Sequence, residues 1–457
     1  MNVSKPDNLN PAGVLGRDLS GAVRRATDFL SEHEPAELLA RVGETIDELA
    51  VSRSPDRRPL PAAYGGGKPC KDDLLAGLGV FYVTESGKLM LDCTGGHYQM
   101  SWGYNHPALV RAVTDALELG IVWDNHSNIP QAPVKQLAAE LVALGEGTGL
   151  DRVLMGTVTG SVACAAALKI MLARHEADER RAALGPPVIL SLHGNYHGTD
   201  LAMQTLRGMW PGLVAGMEPI EVEPNDPAGL RAAFESHGRR VAGFWAEPIL
   251  MNREAIEVAP GFLGLARELC TEHGALMALD EIQTGFWCPD ILLSRCYDFA
   301  PDLLVVGKGL TAGFHPQAAL LYRGELDILE QYDAISTNGN AALAAYLGLC
   351  NLRLIRRGRE RIASLAEHHF EEWSKLPGEF PDRLEEVNGS GLLTGLKFRD
   401  RDDAIRFHRA AVERGLWLRV HAYHPGHRTI LTKFALAATE PVIDRAVALI
   451  RELLRGA

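Results

Sequence analysis

Residues 275–286 read ALMALDEIQTGF and residues 303–310 read LLVVGKGL. Each stretch opens as a short apolar run, and each run ends in a charged residue, Asp280 in the first and Lys308 in the second. Apolar runs of this length suit strands buried on both faces, as in parallel sheets. Three more lie upstream: RVLMG (152–156), PVILSLH (187–193) and VAGFWAEPI (241–249). Helix-length segments such as PALVRAVTDALEL and VKQLAAELVALG interleave with them. This alternation, from about His106 to Ile355, predicts an α/β fold with a mainly parallel sheet wrapped by helices. Such sheets bind ligands beyond the carboxyl ends of their strands, so the loops after these runs are the expected place for chemistry.

Outward from that centre the pattern changes. Residues 1–70 predict a helical extension, amphipathic from Asp18 to Ser52, followed by a Pro- and Gly-rich connector at 54–69. Residues 71–105 begin a smaller lobe, with FYVTESGKLMLDCT (81–94) as strand, turn and strand. Residues 106–355 form the large domain. Residues 356–457 return to the small α/β lobe, with a strand in GLLTGLKF, a helix in DDAIRFHRAAVERG, strands around LWLRV and RTILTKF, and a closing helix in PVIDRAVALIRELL.

A chain of 457 residues exceeds what one core usually serves. The net charge of -12 argues against a nucleic-acid binder. The seven cysteines are odd in number and form no CxxC pair, which argues against a disulfide framework and a zinc site. No HExxH spacing occurs, and no metal is expected. The first thirty residues lack a basic start with an apolar core, and no apolar run has the length of a membrane span. The expected location is the cytoplasm. The Gly65-Gly66-Gly67 run lacks the preceding strand that a dinucleotide fingerprint needs.

Four loops carry the candidate site. After RVLMG comes Thr157-Val158-Thr159-Gly160-Ser161 and then a helix, an arrangement that offers free N–H groups to an anion. The same residues also read as a plain N-cap. After PVILSLH comes Gly194-Asn195-Tyr196-His197-Gly198, where an aromatic between glycines can lie against a planar ring, or simply fill a turn. Asp280 ends a buried strand and needs a cation or donor as partner. A pyridinium nitrogen is such a partner, and its protonation makes the ring an electron sink. Gln283 lies in reach of the same ring. Lys308 ends an apolar strand, where desolvation lowers the pKa of its amine and makes it a nucleophile toward an aldehyde.

With these motifs in order, the chain resembles the class III (subgroup II, omega-type) aminotransferases of fold type I, enzymes that use pyridoxal 5'-phosphate (PLP). DEIQTGF followed by VVGKGL carries the likeness, with GYNHP (103–107), GNYHG (194–198), AEPI (246–249), PGFL (260–263) and STNGN (336–340) in support. The resemblance implies a large, mainly parallel seven-stranded sheet domain and a smaller lobe from both chain ends. It implies an internal aldimine on Lys308, with Asp280 on the pyridine nitrogen, Gln283 on the ring hydroxyl and Tyr196 stacked on the ring. His197 and Glu247 belong to the same cofactor site. Gly160 and Ser161 would hold the phosphate, joined by Thr337 from the neighbouring subunit of a homodimer. The implied substrates are a small amine or amino acid and a carbonyl acceptor.

The chain also departs from the family. Val162 stands where an acidic residue usually follows the Gly-Ser pair. Asn252 stands where many members carry a second Glu, and Lys433 stands near the place of its Arg partner. The loop after the lysine reads TAGFHP. These differences point to an atypical substrate, or to racemase, epimerase or aminomutase chemistry on the same scaffold. A non-catalytic PLP-fold protein is a further alternative, against which the intact Asp280, Gln283 and Lys308 set speaks. Trp102 and Tyr104, in the N-terminal segment, are expected at the mouth of the site. Asn252, Arg419 and Lys433 are further candidates for substrate contact, the last two for a carboxylate.

Overall fold

Side-chain alternation along the apolar runs decides the architecture. Leu276 and Ala278 point into one buried cluster with Ile189, Trp245, Val305 and Leu320. Met277 and Leu279, one position along, point into another with Leu190, Phe244, Leu304 and Leu321. A strand apolar at every position therefore supplies two cores, one on each face of its sheet. The computed structural model describes residues 10–55, 59, 72–121, 129–209, 216–422 and 426–456. Positions 56–58 and 60–69 of the Pro- and Gly-rich connector, with its three-glycine run, lie outside the described residues.

Seven strands form the main sheet: β1 (Arg152–Thr157), β2 (Val188–Leu192), β3 (Glu218–Val222), β4 (Val241–Ala246), β5 (Leu276–Asp280), β6 (Leu303–Val306) and β7 (Ala318–Tyr322). Their spatial order is β1-β7-β6-β5-β4-β2-β3. The pairings from β6 through β3 are parallel, while β7 runs antiparallel to both β6 and β1. The helix Gly160–Ala177 packs on one face, against β4, β6 and β7, and presents Ala163, Ala166 and Ala167 to it. The helix Pro260–His273 packs on the other face with Phe262, Leu263 and Ala266.

The five runs read as strands are strands. The edge strand β3 and the antiparallel β7 are additions to that reading. The expected helical stretch 18–52 is broken into helices Arg17–Glu32 and Pro35–Arg41 and a short turn at Asp47–Leu49. The break is local: Glu34 forms a reciprocal capping box with Glu37, and Pro35 starts the second helix.

Two four-stranded sheets accompany the main one, besides a two-stranded ribbon of Ile249–Leu250 and Ile256–Glu257. In the first, Leu74–Leu78, Phe81–Thr84 and Leu89–Asp92 form an antiparallel meander, and Leu416–Trp417 joins its edge in parallel. The other is antiparallel, with order Leu384–Ser390, Leu393–Phe398, Thr429–Lys433, Arg419–His421. Among the described residues no helix is long and apolar enough to cross a membrane.

Register brings the ends of the parallel strands together: Asp280 pairs with Val305, Leu279 with Ala246, and Ser191 with Trp245. The loops after β2, β4, β5 and β6 thus leave from one edge. Phe244, with no exposed surface, is central to the face opposite the Gly160–Ala177 helix. Phe244→Ala is expected to cost about 3–5 kcal/mol, the usual range for a fully buried Phe, read as a lower denaturant midpoint.

Candidate active site

Asp280 follows Leu276 and Ala278 on the face covered by the helix Gly160–Ala177, and its side chain is 2% exposed. Its Oδ1 accepts the N–H of Ile282 at 2.9 Å. Its Oδ2 meets His197 Nδ1 at 2.8 Å and accepts from the Cys164 thiol at 3.5 Å. No lysine or arginine pairs with this carboxylate among the described residues. His197 itself is buried behind Asp280, its ring centroid 5.0 Å from that of Trp245. The sequence reading put His197 at the cofactor. The structure makes it a support for the acid, because its Nδ1 is occupied by Oδ2.

Lys308 opens the turn Lys308–Thr311 just past β6, with a left-handed backbone at φ 41°. That conformation is uncommon for a residue with a side chain and is held by its surroundings. Burial pushes the amine below the ordinary lysine range, and Arg419 pushes the same way, while Asp280 and Glu247 oppose them. Glu247 follows β4 and is 1% exposed. Its Oε1 accepts the N–H of Tyr196 at 2.8 Å, and its buried Oε2 has no partner among the described residues. Burial, then the Asp280 charge, hold the Glu247 carboxyl well above the usual carboxylate range. Gln283 is 4% exposed, and its Oε1 also lacks a partner.

Tyr196 is half-buried with the Arg207 guanidinium 5.3 Å from its ring centroid. Ser161 Oγ accepts the N–H of Thr199 at 3.1 Å. Gly198, at φ +130°, comes so close to Ser161 that a Cβ would sit 2.2 Å from its Oγ, and a Cβ on Gly160 would meet Ile282 at 2.5 Å. Thr159, at the N-cap, makes no side-chain cap bond, so the plain-cap reading of this segment does not hold. The first N–H groups of such a helix have no partner within it. Thr337 is exposed in the segment that Ser336 ties to β1 by donating its N–H to Gly156 O at 2.7 Å.

The structure thus gathers Asp280, Glu247, Lys308, Tyr196, Gln283, Gly160 and Ser161 at one sheet edge. Three other expectations change. Trp102, expected at the mouth, is 5% exposed and donates its indole N–H to Asn351 Oδ1 at 2.8 Å. Tyr104 packs on Tyr82 at 5.8 Å between centroids and bonds to Asp92, so it fills the gap beside Gly77. Lys433, expected at a substrate carboxylate, is completely buried. Its amine donates to the carbonyls of Gln283 at 2.5 Å and Tyr98 at 3.3 Å and lies 3.6 Å from the Trp287 ring centroid. Arg419 is half-buried, 5.3 Å from the centroid of Tyr98, and Asn252 is 7% exposed. Cys164 was not singled out from sequence. Its signal was position alone, one helical turn beyond Ser161 and so on the same face.

The family model described as "Aminotransferase class-III" matches residues 73–454. An acetylornithine/succinyldiaminopimelate aminotransferase of Yersinia pestis is 30% identical over 386 residues, which cover 81% of this chain and 90% of that protein. A mitochondrial ornithine aminotransferase of Oryza sativa subsp. japonica is 26% identical over 395 residues, 83% of this chain and 79% of its own. Among solved structures, a transaminase from the marine bacterium Virgibacillus superposes with a TM-score of 0.75 at 20% identity, covering 86% of this chain and 94% of that one. An amine transaminase from an uncultivated Pseudomonas species, in its PLP-bound form, gives 0.73 at 22% identity, with 88% and 99% covered. At such identities these structures establish the fold.

The buried Lys433 has a consequence for stability. Burial, then the Lys308 charge, push its amine well below the ordinary lysine range. The unfolded chain therefore holds this proton more tightly than the folded one. Stability accordingly rises with pH between the lowered folded value and the unfolded value of about 10.4. Relative to Lys433→Met, the wild type is expected to gain stability between about pH 7 and about pH 10 in urea unfolding. Equal gains in the two proteins would refute this.

Proposed function

The chain belongs to the class-III aminotransferase family, and we propose that it moves the amino group of a small amine or amino acid to a carbonyl acceptor using PLP held covalently at Lys308. The observation that carries this reading is a lysine amine, its pKa lowered by burial, beside two fully buried carboxylates at the ends of adjacent parallel strands.

The residues fit that cofactor. Gln283 Oε1 is a buried acceptor in want of a donor, which a ring hydroxyl supplies. No lysine or arginine is ion-paired with Asp280 among the described residues, which suits a pyridinium nitrogen. The uncapped helix start at Gly160, with Ser161, suits a phosphate. Bound PLP supplies an electron sink for the charge that develops at the substrate Cα.

The protein's own groups do the rest. Lys308 Nζ would hold the cofactor, and its amine is the group placed to take the substrate Cα proton and return it. Asp280 would face the ring nitrogen and favour its protonation, with His197 and Cys164 fixing Asp280 Oδ2. Tyr196 covers the ring, and Arg207 orients Tyr196. Glu247 holds the Tyr196 loop through its backbone N–H and raises the proton affinity of Lys308. Thr337, exposed here, completes the phosphate site of a neighbouring subunit in a homodimer. Arg419 is the cation placed to receive a substrate carboxylate, since Lys433 is engaged below the floor of the site. The relatives named ornithine and acetylornithine aminotransferases make amines of that class the first donors to test. The division at residues 70, 105 and 355 belongs to the same proposal.

Purified protein mixed with PLP is expected to develop the absorption band of lysine-bound cofactor, and an accepted amine donor should bleach it and release a carbonyl product. Lys308→Ala should lack the band and lose about 10³-fold or more in turnover. A Lys308→Ala protein that keeps either property would end the proposal. Cofactor attachment should quicken with pH as the amine loses its proton, with a midpoint below that of ordinary lysine. Above the pH at which Glu247 loses its own proton, Glu247→Gln removes a charge that helps retain that of Lys308, so the midpoint should move to lower pH; a move to higher pH would contradict the assignment.

A further inference from the structure

Asn351 lies within the helix Ala342–Arg357, fully buried among Leu347, Leu352 and Ile355. A buried amide costs stability unless each of its polar atoms finds a partner. Here they do. Nδ2 donates to Gly309 O at 2.6 Å and to Leu310 O at 3.1 Å, and Oδ1 accepts from Trp102 Nε1 at 2.8 Å. Both carbonyls belong to the turn that Lys308 opens.

That turn needs holding. Lys308 sits at φ 41° and Ala312 at φ 53°, both left-handed. Gly309 is pressed so closely against Trp287 and Phe286 that a Cβ would meet them at 2.9 and 3.0 Å. Backbone bonds from Leu310 N to Gly307 O and from Ala312 N to Gly309 O tie its two ends. Strain of this kind persists where the surroundings over-determine it. The Asn351 amide bonds the backbone of this turn from outside.

Trp102 decides which way the amide faces. An indole N–H is a donor only, so it fixes Oδ1 toward itself and turns both amide hydrogens toward the turn. The flipped amide would set Oδ1 against two carbonyl oxygens. Arg361 covers the other side of the indole, 5.8 Å from its centroid, and donates to Ala438 O at 3.1 Å.

We propose that Trp102 and Asn351 are positioning residues that hold the turn Lys308 opens, and with it the left-handed backbone of Lys308, and so aim the lysine amine at the strand edge. The inference rests on the reading of Lys308 as the cofactor lysine. Neither side chain touches the reacting atoms. They act through the backbone of Gly309 and Leu310.

The test uses the full chain stripped of cofactor, with Trp102→Phe, Asn351→Leu and the double variant. Three quantities are read: the rate at which added PLP attaches, the pH midpoint of the resulting absorption band, and the melting temperature of the cofactor-free protein. Borohydride reduction and peptide mapping identify the lysine modified. Trp102→Phe, which keeps a ring beneath Arg361, is expected to slow attachment on the order of tenfold, the scale of a sub-ångström misplacement. Its band midpoint should shift while the fold is retained. Asn351→Leu should do at least as much, and the double variant little more, because the two residues act as one device. Should Asn351→Leu fail to fold, Trp102→Phe alone decides. Wild-type attachment rates and midpoints in the folded variants, with only the melting temperature lowered, would overturn the proposal and leave Lys308 as the cofactor lysine. A wild-type protein that gains no band, or is trapped at another lysine, would overturn it along with the reading beneath it.

Discussion

The structure turns on the cost of placing charge inside an apolar sheet. Asp280 and Lys308 end strands whose other residues are almost wholly buried, and Glu247 ends a third. Each charge is tolerable only because something specific meets it. Asp280 takes three donors, Glu247 takes one backbone N–H and shifts toward its neutral form, and Lys308 shifts toward its free amine. Neutralising or pairing a desolvated group is what the interior demands. A free amine is also what an aldehyde needs. The solvation problem and the chemistry therefore share one solution.

The departures from the family pattern follow the same physics. With Asn252 where a second glutamate is usual, an arginine near position 433 would lose its carboxylate partner. The chain has a lysine there instead, with no carboxylate bonded to it among the described residues, satisfied by two carbonyls and an indole face. A lysine can shed its proton in such a place, whereas an arginine cannot. This keeps a second fixed charge away from Lys308.

Much of this was legible in the sequence because a lone charge at the end of an apolar run is hard to explain otherwise. Asp280, Lys308 and the five runs stood out for that reason. What was not legible depended on neighbours distant along the chain. Glu218–Val222 carries two acids and a proline at a sheet edge, and so lacks the apolar signature of the central strands. Leu384–Ser390, with two glutamates, an asparagine and a glycine, reads as a loop until its partner is known. Trp102 and Tyr104 were misplaced because an aromatic near a site looks the same whether it meets a ligand or a neighbouring helix. Asn351 was invisible, since nothing in ALAAYLGLCNLRLIRR announces which carbonyls it will face.

The first of the small sheets joins parts of the chain that are far apart. Leu89–Asp92 takes Leu416–Trp417 as its edge partner, and Lys88 Nζ reaches Glu413 O across 325 positions. Closing a loop of that length carries a large entropic debt, which distant contacts repay only after the intervening segment is ordered. On the ribosome, the early meander must wait with one edge open until residues near 416 have emerged. Docking of that last strand then seals the meander, so a chain arrested before it would present a bare edge ready to pair with another molecule.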